Sequence, residues 1–234
     1  MKPTALVLSC EHAVNHVPAP YVNLFKQQYE VLKTHRAFDC GALEIANHLS
    51  KGLGCDLSTS AITRLLVDCN RSIAHPQFFS EFSSSLPESE KKKLVDEYYL
   101  PYRRHTEAMI KHHITQGHQV LHLSIHSFTP EMNGVTRNAA IGLLYDPARH
   151  GEKEVARIWH GLLLAQTPAY KVRKNYPYSG KTDGFTSALR KRYAEEDYLG
   201  LEVECNQALM EEKKSFAELI HSLSSSLKDL LQLL

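Results

Sequence analysis

No long hydrophobic run, no surplus of one charge and no paired cysteine spacing occur in this sequence, and each absence removes a class of function. No window approaches the ~20 consecutive apolar residues that cross a bilayer. Lys and Arg total 27 against 26 Asp and Glu, a net charge of +1, and the charges are scattered along the chain. That pattern gives no ground for a nucleic-acid or membrane-surface partner. The five cysteines (Cys10, Cys40, Cys55, Cys69 and Cys205) are odd in number and show no C-x-x-C spacing. They argue against a disulfide scaffold and a thiolate zinc site, and for a reducing compartment. The stretch "NYPYSGKTDGF" contains "SGKT", but no glycine stands five positions before Gly180, so the phosphate-binding loop pattern is absent. The start, "MKPTALVLSCEHA", reads as a first strand and not as a signal peptide. The location expected from these features is cytoplasmic.

What is present is an ordinary globular composition, 43% hydrophobic and 23% charged over 234 residues. That is enough chain for a proper core, and residues 1–234 are read as one domain. Short runs rich in Val, Ile and Leu, flanked by turn residues, predict strands at 4–10, 61–70, 119–128, 139–146 and 198–205. Between them, helical patterns cover 40–53, 88–116 with a kink near Pro101, 151–166 and 211–234. This alternation predicts an α/β fold: a mixed, mostly parallel sheet with helices on both faces. The leucines of the tail helix either pack on the domain, the commoner case, or form a homodimer contact.

In open α/β sheets, sites gather beyond the carboxyl ends of the strands. Four of these runs end in chemically capable residues: Glu11–His12, Asp68–Asn70–Arg71, His126–Ser127 and Glu202–Glu204. Alternation in "LHLSIHSF" places His122, Ser124 and His126 on one face, with His126 at the strand end and His122 deeper and structural. Two imidazoles from separate strand ends, one carboxylate and an open position make a catalytic zinc site. His12 and His126 are the histidines, and the carboxylate is Asp39 or Glu11. Asp39 is preferred, although an acidic residue just before a helix is commonly its N-cap. Asn70 and Arg71 offer an amide and a planar fork for a substrate carboxylate, unless Arg71 pairs with Asp68 or a surface acid. Arg137 is a second candidate cation. Glu202 and Glu204 share one face of an apolar strand, where a buried acid calls for a cation, a metal or a catalytic duty. The Pro- and Gly-containing loop 175–185 suits a substrate lid. Cys10, with no base beside it, is read as a packed thiol.

The stretches "SCEHAVNHVP", "HRAFDCGA", "LLVDCNR", "LSIHSFTP", "IGLLYD", "NYPYSG" and "LEVECNQAL", in this order, resemble the N-formylglutamate amidohydrolase family. That family is similar to the zinc carboxypeptidases and the aspartoacylase-type deacylases. The resemblance runs from about residue 8 to 210 and implies a zinc-carboxypeptidase-like fold with Zn2+ or another divalent metal. In the wider group the first metal motif is His-x-x-Glu; here His12 is followed three residues later by Asn15, and Asp39 is the replacement ligand. The group's carboxylate-holding Asn-Arg pair matches Asn70–Arg71. Its late-strand catalytic glutamate matches Glu204 better than Glu202. The implied activity is metal-assisted hydrolysis of N-formylglutamate or another small N-acyl amino acid. The alternatives are a peptidase or amidase of the same fold acting on another substrate, and a non-catalytic binding protein that has lost the metal.

Overall fold

The computed structural model describes residues 2–234. Six strands form one sheet in the order β2-β1-β3-β8-β6-β7: β1 (Thr4–Cys10), β2 (Asp56–Thr59), β3 (Gln119–Phe128), β6 (Ile141–Leu144), β7 (Val172–Lys174) and β8 (Tyr198–Asn206). The pairs β1–β2, β1–β3, β3–β8 and β6–β7 are parallel, and β6–β8 is antiparallel. A separate two-stranded hairpin, β4 (Glu131–Met132) and β5 (Val135–Thr136), turns on Asn133 and Gly134, both at positive φ. Among the described residues, no helix is long and apolar enough to cross a membrane.

The two faces of the sheet differ in chemistry because strand side chains alternate. One face carries Leu6, Leu8, Leu121, Leu123, Ile125, Leu201 and Val203 into a core closed by α1 (Ala42–Leu53), α4 (His150–Gln166) and α6 (Lys213–Leu233). In α6, Leu219, Leu223, Leu227 and Leu230 are all buried there. The opposite face is covered by α3 (Leu100–Thr115) and α5 (Phe185–Arg190). It starts apolar with Val7, Val120 and Tyr198, then turns polar toward the carboxyl ends through Ser9, His122, Ser124, His126 and Glu204. Helices therefore flank both faces, as the alternation predicts.

The helix predicted over 88–116 forms as α2 (Glu88–Leu94), a π-turn over Val95–Tyr99 and α3. Pro101 sits in the first turn of α3; it has no N–H to donate, and the wider turn just before it absorbs the mismatch. The strand predicted over 61–70 does not form. Ile62, Leu65, Leu66, Val67 and Cys69 are buried, but in an irregular segment against Tyr21, Phe25 and Phe78. Its backbone bonds go to other loops: Thr63 N–H to His16 O, Arg64 N–H to Ala37 O and Asp68 N–H to Phe78 O. A continuous apolar run signals burial without specifying a strand. The short strands β2 and β7, each four residues or fewer, carry too little pattern to be read from sequence.

Gly142 of β6 stands opposite Glu204 of β8. A Cβ at Gly142 would overlap the carbonyl oxygen of Tyr176 and sit 3.3 Å from Glu204 Cβ. Gly142→Ala is expected to force the 175–184 loop outward and cost about 1–3 kcal/mol of stability, the usual range for overpacking. Urea denaturation measures it; an unchanged midpoint would show that the loop does not lean on this glycine.

Candidate metal and hydrolytic site

His12 lies two residues past β1, His126 lies near the end of β3, and the loop before α1 supplies Asp39. The loop is pinned at the site by its own backbone, Asp39 N–H donating to His12 O at 2.9 Å. One ligand atom from each of His12, Asp39 and His126 lies within 4.8 Å of the other two, and all three residues are buried. Asp39 Oδ2 is 3.3 Å from His12 Nδ1 and 2.8 Å from His126 Nδ1. Both imidazoles thus turn Nδ1 toward the same carboxylate oxygen. Asp39 is not a side-chain N-cap, since α1 begins after Gly41 with no side-chain capping bond.

The outer nitrogen of each ring is held by a second carboxylate. His12 Nε2 is 2.7 Å from Asp68 Oδ1. His126 Nε2 is 3.3 Å from Glu11 Oε2 and 2.8 Å from Ser124 Oγ. Glu11 is buried and also accepts from Ser9 Oγ (2.7 Å), Tyr102 Oη (2.8 Å) and Ser124 Oγ (2.5 Å). A carboxylate on the outer N–H fixes the tautomer that leaves Nδ1 with a lone pair for a metal. The sequence left Glu11 and Asp39 as alternative ligands, with Asp39 preferred. The geometry separates them: Asp39 joins the inner cluster, and Glu11 sits behind His126. Asn15, at the position of the absent glutamate, is exposed and points away, donating to Leu32 O at 2.8 Å.

Charge explains why this cluster suits a cation. Burial alone would raise the carboxyl pKa of Asp39, but His12 and His126 hold it well below the usual range. The same contest, with His126, Ser124 and Ser9 as partners, holds Glu11 down. Burial also opposes a charge on His126, yet carboxylates at both of its nitrogens lift its pKa well above the ordinary value. Two of the three buried carboxylates, Asp39 and Asp68, face one guanidinium, Arg64, which lies 3.6 Å from Asp39 Oδ1 and 3.1 Å from His12 Nδ1 and donates to Asp68 Oδ2 at 2.8 Å. A pocket that raises an imidazole's affinity for a proton and holds a guanidinium at its edge is short of positive charge. The His2Asp donor set, with Nδ1 atoms convergent and outer nitrogens anchored, fits a divalent metal of the zinc type.

Glu204 is paired in register with His126 across β3 and β8, on the same face of the sheet. Its Oε2 is buried without a hydrogen-bond partner among the described residues, and burial, reinforced by Asp39 and Glu202, raises its pKa to about 7. Glu202 is half-buried and accepts from Thr186 Oγ1 at 2.7 Å. Both acids line one cavity of about 870 Å3 with the three inner residues, Asn70 and Arg71. Arg71 does not pair with Asp68; its Nη1 donates to Asp183 O at 2.7 Å. Asn70 Oδ1 accepts from Phe185 N–H at 2.7 Å, which ties it to the start of α5. Arg137 is not brought to this cluster. Its guanidinium lies 5.2 Å from the Tyr178 ring centroid and donates to Tyr178 Oη at 3.2 Å, at the cavity rim.

Sequence reasoning missed Arg64, and it counted Asp68 among the chemically capable strand-end residues and as a partner for Arg71 without giving it a role at the histidines. Both lie in the run read as a strand, where a charged residue amid Leu, Leu and Val carried the same buried-acid signal that singled out Glu204.

The N-formylglutamate amidohydrolase family model matches residues 4–210, nearly nine-tenths of the chain. The chain belongs to the N-formylglutamate amidohydrolase family. Membership makes it an amide hydrolase by family, and α6 lies beyond the matched segment. A crystal structure of a gene product of Agrobacterium tumefaciens is 27% identical, with 99% of this chain and 92% of that one aligned and a TM-score of 0.82. An N-formylglutamate amidohydrolase from Ralstonia eutropha shares the fold at 18% identity, covering 100% and 94%, with a TM-score of 0.75. No curated protein gives a significant match.

If Asp68 orients His12 as a metal ligand, Asp68→Asn is expected to weaken zinc binding by about 10- to 100-fold. Competition with a chelating dye measures this; unchanged affinity would show that the ring is oriented by other contacts.

Proposed function

We propose that this chain, acting as one catalytic domain, is a divalent-metal amidohydrolase of zinc type that cleaves N-formylglutamate or a similar small N-acyl amino acid. The observation that carries this reading is the convergence of His12, Asp39 and His126 beside a carboxylate oxygen of Glu204 that has no partner among the described residues. His12 and His126 through Nδ1, and Asp39 through a carboxylate oxygen, would hold the ion. When bound, it supplies Lewis acidity toward an acyl carbonyl and acidifies water.

The protein groups do the rest. Glu204 Oε2 takes the proton of the attacking water and delivers it to the leaving nitrogen, so the amine departs neutral. A carboxyl poised at about 7 suits both halves of that transfer. Arg64, at the edge of the inner cluster, is placed to hydrogen-bond oxygen that gains charge during attack. Arg71 anchors the substrate's carboxylate beside Asn70, which fixes the scissile amide against the cluster. The loss of a glutamate at Asn15 does not by itself favour a metal-free binding protein, because Asp39 supplies a carboxylate at the inner cluster. Five unpaired cysteines support a cytoplasmic setting.

Glu204→Gln is expected to retain zinc and lose turnover by about 10²-fold or more. In the parent enzyme kcat/KM should fall with decreasing pH as Glu204 protonates, with an apparent pKa at or below 7, since a bound cation stabilises the carboxylate. That limb should vanish in the variant; a surviving limb would assign it to another group. Arg71→Ala should mainly raise KM for carboxylate-bearing substrates. An unchanged KM would place the anchor elsewhere, with Arg137 the next candidate.

A further inference from the structure

An arginine that grips a ligand must be held still, because a flexible side chain ordered only by its ligand weakens binding. Residues 69–72, which carry Arg71, belong to no strand or helix, so no regular backbone pattern fixes that side chain. The segment is held from two sides instead. Arg103 of α3 donates to Cys69 O at 3.1 Å, and Tyr99 Oη donates to Arg71 O at 2.9 Å. The other contacts come from the end of the 175–184 loop. Arg71 Nη1 donates to Asp183 O at 2.7 Å, and the Asp183 carboxylate accepts from Ser72 N–H at 2.9 Å. Two residues on, Phe185 N–H donates to Asn70 Oδ1.

Asp183 makes these two contacts with different groups, and the division matters. A carboxylate beside an anchor for carboxylates could pair with the arginine directly and compete with the ligand. Here the carboxylate is occupied by a backbone N–H, and the guanidinium is met by a neutral carbonyl. Arg71 Nε and Nη2 make no hydrogen bond among the described residues, and Arg71 and Asp183 both line the cavity. The loop that carries Asp183 is a firm support. Asn175 Oδ1 accepts from Tyr145 N–H at 3.1 Å and from Gly180 N–H at 3.0 Å, and Arg190 Nη1 donates to Gly180 O at 2.6 Å. The stretch read from sequence as a lid is tied down at both ends.

We propose that Asp183 is a positioning residue for substrate binding: its carboxylate fixes Ser72 and its carbonyl fixes Arg71, so that the unbonded edge of the guanidinium is presented to the substrate's carboxylate. This inference rests on the amidohydrolase reading, with Arg71 as the anchor, and adds the residue that holds the anchor in place.

The test measures amine release by the zinc-loaded full chain from N-formyl- and N-acetyl-L-glutamate, and from the matching analogues in which both carboxylates are carboxamides. Asp183→Ala is expected to raise KM for the better carboxylate substrate by about 10-fold, the scale of one weakened hydrogen bond to a charged group. Its kcat should stay within about twofold of the parent's, as for a loss of uniform binding. For the uncharged analogue kcat/KM should also stay within about twofold, because there is no carboxylate to misplace. Asp183→Asn, which keeps an oxygen for Ser72 N–H, should restore KM. A merely structural lesion would depress charged and uncharged substrates alike. That result, or a KM unchanged or lowered in Asp183→Ala while Arg71→Ala raises it, would overturn the role of Asp183 and leave the amidohydrolase reading standing. A KM unmoved by Arg71→Ala would remove the anchor and the role of Asp183 with it. No amine from any of the four compounds would overturn both the inference and the reading.

Discussion

Two imidazoles are held at the floor of the cavity by carboxylates on both sides, and the rest of the site depends on that arrangement. Asp39 faces the inner nitrogens of His12 and His126, while Asp68 and Glu11 take the outer ones. Each carboxylate is almost wholly removed from water. Taking an ion out of water costs several kcal/mol unless partners replace the lost hydration. Here Ser9, Tyr102 and Ser124 solvate Glu11, and Arg64 with the backbone N–H of Asn70 solvates Asp68. These contacts make the excess of negative charge tolerable without cancelling it. The excess is what a divalent cation would neutralise.

The fold creates this concentration of charge through the unequal faces of its sheet. The face under α1, α4 and α6 is apolar throughout and supplies cohesion. The other face becomes polar as its strands run toward their carboxyl ends, so parallel β1, β3 and β8 deliver Glu11, His126 and Glu204 side by side. Parallel pairing matters because it brings those ends to one edge. Antiparallel β6 then closes the far side with Gly142, whose missing side chain lets the 175–184 loop approach the cavity.

Much of this was legible in the sequence. Period-2 alternation in "LHLSIHSF" put His122, Ser124 and His126 on one face, and the structure keeps them there as the polar column behind the site. The major helices were readable from their 3.6-residue periodicity. The segment 60–87 was not, because its apolar residues fill a core pocket by irregular turns that leave no periodic trace. Arg64 and Asp68 went unassigned for that reason: their duty depends on where a loop crosses the strand ends. The choice between Asp39 and Glu11 was likewise a matter of which side of His126 each carboxylate occupies, and adjacency in sequence does not encode that.

The central claim is that His12, Asp39 and His126 form one metal centre with both histidines bound through Nδ1. A crystal structure of zinc-loaded protein with anomalous scattering collected at the zinc edge tests it directly. The expected result is a single peak about 2.0–2.2 Å from both Nδ1 atoms and from an Asp39 oxygen, with Asp68 and Glu11 still on the outer nitrogens. No peak at this cluster, or a zinc bound instead through Glu11 or an Nε2 atom, would contradict it.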